Sequence, residues 1–116
     1  MSFYEMGMKR LRDDAVKEGK ESGHHYLLGV VYSECCTNAV GRSSYNSYDN
    51  AASAIAAACN LSATVDFSDT EWYMDDDCES ADDVTGDPAM TRAMDDLLKH
   101  GRINLGDYDL VLDKIA

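Results

Sequence analysis

Twelve acidic residues and a single arginine occupy residues 66–98, a stretch that carries −11 of the chain's formal net charge of −12. Within it, residues 66–87 hold Asp66, Asp69, Glu71, Asp75, Asp76, Asp77, Glu79, Asp82, Asp83 and Asp87 without one lysine or arginine. A segment of this kind repels itself, and compaction costs free energy unless a cation, a basic partner or bulk salt compensates. Elsewhere the charges balance. Residues 1–23 set Lys9, Arg10, Arg12, Lys17 and Lys20 against Glu5, Asp13, Asp14, Glu18 and Glu21, and residues 99–116 set Lys99, Arg102 and Lys114 against Asp107, Asp109 and Asp113. The imbalance is therefore a local property of one third of the chain and not a general surface composition.

With 116 residues the chain has the size of one domain, large enough to bury roughly two-thirds of the surface its unfolded form exposes. A single acidic domain over residues 1–116 is expected. The opening residues mix Phe3, Tyr4 and Met6 with Glu5, Lys9 and Arg10, so they lack the apolar run of a signal peptide. The longest apolar run, residues 26–32, is far short of a bilayer span. These features lead us to expect a cytoplasmic protein that does not contact a membrane. Four cysteines without framework spacing are expected to stay reduced, with Cys35 and Cys59 as small buried thiols.

Local signals point to a mainly α fold, with room for one or two short strands in an α+β variant. Ser2 and Glu5 stand in capping-box spacing before Tyr4, Met8, Leu11 and Ala15, which predicts a helix over 3–18 with Gly19 and Gly23 at its exit. Residues 24–40 admit a strand over 26–32, but Leu28, Val31, Tyr32, Cys35 and Ala39 form a helical stripe, and helix is preferred. Residues 41–50 read as a loop, in which Tyr45 and Tyr48 are candidate contact residues. Asp49 or Asn50 caps a helix over 51–59, residues 63–67 are the best strand candidate, and Ser68 with Glu71 again have capping-box spacing. Asp87, Pro88 and Gly101 bracket a helix over 88–100 whose buried face is Met90, Ala93, Met94, Leu97 and Leu98. Leu105, Tyr108, Leu112 and Ile115 then recur at three, four and three, which predicts a last helix and a C-terminal helical hairpin.

Catalytic signatures are absent from the sequence: no G-x-S-x-G, no H-E-x-x-H and no glycine-rich phosphate loop. A cysteine enzyme would need Cys36 or Cys78 as a low-pKa thiol, and Asp77 and Glu79 beside Cys78 oppose that. His24, His25, Cys35 and Cys36 have zinc-ligand chemistry but match no common finger spacing. The Asp75–Asp77 run fails the EF-hand pattern, because its sixth position is Ser80 where a glycine is required. No cofactor, no metal and no catalytic residue is assigned.

Direct nucleic-acid binding is disfavoured, since phosphates reward clustered lysine and arginine. The inverse is expected: a face built from Asp66, Asp69, Glu71, Trp72, Tyr73, Asp75, Asp76, Asp77, Glu79, Asp82 and Asp83 that meets a basic protein surface. Were residues 66–87 helical, they would span about 33 Å at ~1.5 Å per residue, with an acid every ~3.3 Å against the ~3.4 Å charge spacing of a DNA strand. Trp72, Tyr73 and Met74 lie inside this block, and a solvated tail usually lacks aromatics. Trp72 either pins the segment to the core or serves as a hot spot ringed by carboxylates. In size and charge pattern the chain is similar to the DNA-mimic anti-restriction and anti-CRISPR proteins of bacteriophages. That resemblance implies a protein target, often a nuclease complex, and allows a homodimer. The competing expectation is an acidic domain that binds a partner through its neutral remainder.

Overall fold

The computed structural model describes residues 2–72 and 88–116. Tyr73, Asp75, Asp76, Asp77, Cys78, Glu79, Asp82, Asp83 and the expected cap Asp87 lie outside the described residues. The described elements are α1 (Phe3–Glu21), β1 (Tyr26–Tyr32), α2 (Ala39–Arg42), β2 (Ser44–Tyr48), α3 (Ala51–Ser62), a 3-10 turn (Phe67–Asp69), α4 (Pro88–His100), β3 (Arg102–Asn104) and β4 (Tyr108–Lys114). The four strands form one antiparallel sheet in the order β2-β1-β4-β3. This α+β architecture replaces the expected mainly α fold, and no C-terminal helical hairpin closes it.

The sheet is the middle layer. Leu28 and Val30 of β1, Leu110 and Leu112 of β4 and Ile103 of β3 share one face by register, and α3 and α4 pack there to form the main core with Phe67 and Trp72. Leu27, Gly29, Tyr45, Ser47 and Val111 share the opposite face, and α1 lies across its β1–β2 half. Burying a central strand on both faces removes the in–out alternation that marks a half-exposed strand. This is why the run Tyr26–Tyr32 also carries a helical stripe, and why helix was the wrong expectation for most of residues 24–40; only the first two residues of α2, Ala39 and Val40, are helical there.

Three further expectations are corrected. Residues 44–48 are not loop but the edge strand β2, whose polar composition reflects pairing on one side alone. Residues 63–67 form no strand: Val65 N–H donates to the Ser62 carbonyl, and the chain then tightens into the 3-10 turn, so Ser68 and Glu71 do not open a helix through residue 72. Residues 102–114 form the β3–β4 hairpin. The 3-4-3 recurrence skipped Leu110, which with Tyr108 and Leu112 has the two-residue period of a strand facing the core.

The helix ends follow the sequence more closely. Ser2 Oγ accepts from Glu5 N–H at 3.1 Å to start α1, and Asn50 Oδ1 accepts from Ser53 N–H at 2.9 Å to start α3. The exit of α1 is Gly23, at φ +74°; Gly19 is still helical and buried against Ser47. Gly101, at φ +79°, ends α4 in the left-handed region that glycine enters without a steric penalty, and its N–H donates to the Leu97 carbonyl at 2.8 Å. On α4, Ala89, Ala93, Met94 and Leu97 are buried, whereas Leu98 turns outward and is 51% exposed. No helix among the described residues is long and apolar enough to cross a membrane.

Candidate partner-binding site

The described part of the acidic segment reaches the core at Trp72. Phe67, buried at the start of the 3-10 turn, meets the Trp72 ring edge-on with centroids 6.5 Å apart. Thr70 closes the turn twice on the Phe67 carbonyl, through its N–H at 3.0 Å and its hydroxyl at 2.7 Å. Two residues of α4 hold the tryptophan from the other side: Asp96 accepts from Trp72 Nε1, and Arg92 Nε donates to the Trp72 carbonyl at 2.7 Å. Only 6% of Trp72 is exposed. Its indole is a core group, so it anchors the segment and does not present a free aromatic face.

With Trp72 fixed, the exposed residues Asp66, Asp69 and Glu71 stand around it along one wall of a cleft of about 410 Å³. Asn104, Leu105 and Gly106 from the β3–β4 turn make the other wall. Local chemistry sets that turn. Asn104 Nδ2 donates to Asp109 Oδ1 at 2.7 Å and to the Gly106 carbonyl at 3.3 Å, while Gly106 N–H returns a bond to Asn104 Oδ1 at 3.2 Å. Gly106 sits at φ +89°, and a glycine in the left-handed region is the usual choice for a three-residue hairpin loop. The described residues lining the cleft include no lysine, arginine or histidine. Its rim therefore offers carboxylates and amide or backbone groups, which suit cationic groups of a partner.

Of the eleven residues expected to form the binding face, Asp66, Asp69, Glu71 and Trp72 are described. The three acids are exposed at one cleft. The DNA-like pitch is not realised over residues 66–72, because that requires a helix and the chain here forms a 3-10 turn followed by a turn. Asn104, Leu105 and Gly106, the opposite wall, were not among the expected site residues. The N-L-G-D sequence of residues 104–107 is a turn signal that could have marked them. Asp96 and Arg92 were missed because contacts from one helix to a distant segment leave no trace in local spacing.

Other singled-out residues find structural roles. Tyr45 lies over Gly29 on the neighbouring strand, and Tyr48 packs against the main core, so neither is a free loop aromatic. Burial raises the Tyr45 pKa above the ordinary phenol value, and it does the same for Tyr4 and Tyr108. Tyr4 instead donates to the Tyr32 carbonyl at 2.5 Å, tying α1 to the end of β1. His24 Nδ1 pairs with Ser47 Oγ at 2.7 Å. Cys35 is exposed, contrary to the expectation of a buried thiol, and Cys59 is half-buried on α3. Among the described residues no group of three His, Cys, Asp or Glu side chains could hold a metal ion.

No protein-family model matches the chain, and no curated protein and no solved structure was found to be similar to it.

Proposed function

We propose that this protein acts by binding, as an acidic inhibitor or adaptor that occupies a basic, nucleic-acid-binding surface of another protein in the manner of phage anti-restriction and anti-CRISPR mimics. The observation that carries this reading is the anchored start of the acidic block. Trp72 is locked into the core by Asp96 and Arg92, and Asp66, Asp69 and Glu71 are exposed around it on one wall of the cleft. An acidic segment that begins from a rigid platform loses less entropy on docking than a free tail, and charge complementarity then steers encounter and register.

The test is a pull-down of nucleic-acid-processing complexes from host lysate with the purified chain at low and high salt, repeated with Asp75, Asp76, Asp77, Asp82 and Asp83 all changed to Asn. A retained complex that elutes with salt and is lost with the five substitutions is the expected result, because exposed charges are screened over ~8 Å at physiological ionic strength. Retention that ignores both salt and the substitutions would refute it. That outcome would move the interface to the neutral part of the chain, where Phe3 is 92% exposed and Met6 52% exposed on α1.

A further inference from the structure

The link between β1 and α2 places two adjacent thiols on one side of a turn. Cys36 N–H donates to the Ser33 carbonyl at 3.0 Å, closing the turn. Both thiols then fold back onto the same side chain: Cys35 Sγ lies 3.2 Å and Cys36 Sγ 3.3 Å from Ser33 Oγ. Cys36 Sγ also reaches the Asp107 carbonyl at 3.7 Å, so the β3–β4 turn braces the pair. Cys35 is exposed and Cys36 half-buried, and neither is in a disulfide. Beside them opens a cleft of about 450 Å³ whose lining includes Phe3, Tyr4, Glu34, Cys36 and Val40.

Geometry narrows what such a pair can take. Neighbouring Cα atoms stand about 3.8 Å apart across a trans peptide, below the roughly 4.4–6.8 Å of ordinary disulfides, so a Cys35–Cys36 bond would be strained and easily reduced. The pair is thus held as a dithiol. A tetrahedral zinc site needs four ligands or three with an open position, and no group of even three suitable side chains exists among the described residues. The fitting ligand is one that asks the protein for two sulfurs only and brings its remaining substituent with it. Phe3 and Val40 at the cleft make an apolar, aromatic place for that substituent.

We propose that Cys35 and Cys36 form a chelating dithiol site for a trivalent arsenical that carries one aryl group. In the reaction with an arsine oxide, two S–As bonds form and the As=O bond breaks. The two thiol protons leave with the oxygen as water, and no atom changes oxidation state. Closing the second S–As bond is intramolecular, which lends the pair an affinity that neither thiol has alone.

The experiment is titration of the reduced full-length chain with phenylarsine oxide, read by intact mass and by peptide mapping. One adduct per chain, equal to one phenylarsenic group less two hydrogens and mapping to the peptide with Cys35 and Cys36, is the expected result. Cys35→Ser or Cys36→Ser should each weaken retention by about 100-fold or more, whereas Cys59→Ser and Cys78→Ser should leave it unchanged. Phe3→Ser should weaken the phenyl adduct more than the adduct of a methyl arsenical. An adduct mapping to Cys59 or Cys78, no adduct at equimolar reagent, or undiminished retention in the Cys35→Ser, Cys36→Ser double variant would overturn the assignment. Mapping on the unaltered chain decides the matter even if a serine variant folds poorly.

Discussion

Gly29 and Tyr45 are direct partners across the β1–β2 pair, and a Cβ at position 29 would lie 2.4 Å from Cε1 of the tyrosine ring. No real contact is that short. Glycine at the middle of a central strand loses side-chain packing, and here the neighbouring ring fills the vacated space. Tyr45 therefore belongs to the sheet and not to a recognition loop, which a reading of residues 41–50 by composition could not reveal. Gly29→Ala is expected to destabilise the fold by about 1–3 kcal/mol, the range for overpacking a filled site. In a Tyr45→Ala background the same change should cost much less, because the clashing atoms are gone. Urea unfolding of the two single variants and the double variant checks this; strictly additive effects would mean that the ring and the glycine are not coupled.

Among the elements, the starts of α1, α3 and α4 were legible and the strands were not, and the difference is physical. A cap is a local bond between residues three apart, so Ser2 with Glu5 could be read directly, and the cap before the alanine-rich stretch could be narrowed to Asp49 or Asn50, of which Asn50 makes the bond. A strand owes its identity to distant partners. β1 is apolar at both parities because helices cover both sheet faces, β2 is polar because it is an edge, and β4 carries enough large side chains to imitate a helical stripe. The candidate site divides the same way. Its acids were legible as composition, but the opposing Asn104–Gly106 turn and the Asp96 and Arg92 clasp on Trp72 depend on the sheet and on α4. At this scale, Asn50→Ala should lower stability by about 0.5–2 kcal/mol through loss of the cap to Ser53 N–H. Thermal melts would record it, and an unchanged midpoint would show that α3 is held by packing alone.

For the whole molecule, the separation of charge has two consequences of opposite sign. Three ion pairs among the described residues, Lys9–Asp13, Arg12–Asp113 and Arg102–Asp109, lie outside residues 66–98, the stretch that carries −11. Exposed pairs of this kind are worth little each, and these three do nothing to relieve the repulsion within the block. Salt does relieve it. Between about 0.01 M and 1 M the screening length falls from about 30 Å to about 3 Å, so the free protein should melt at higher temperature as sodium chloride is added. In a chain of this size each gain of about 1 kcal/mol should move the midpoint by about 4–6 °C. The variant with Asp75, Asp76, Asp77, Asp82 and Asp83 changed to Asn should melt higher at low salt and respond less to its addition. Under the proposed function the same salt should weaken capture of a basic partner, since exposed charge of the block would steer that complex. A midpoint indifferent to salt in the unaltered chain would mean that repulsion within the block does not burden the folded state, because its charge is either compensated or fully solvated.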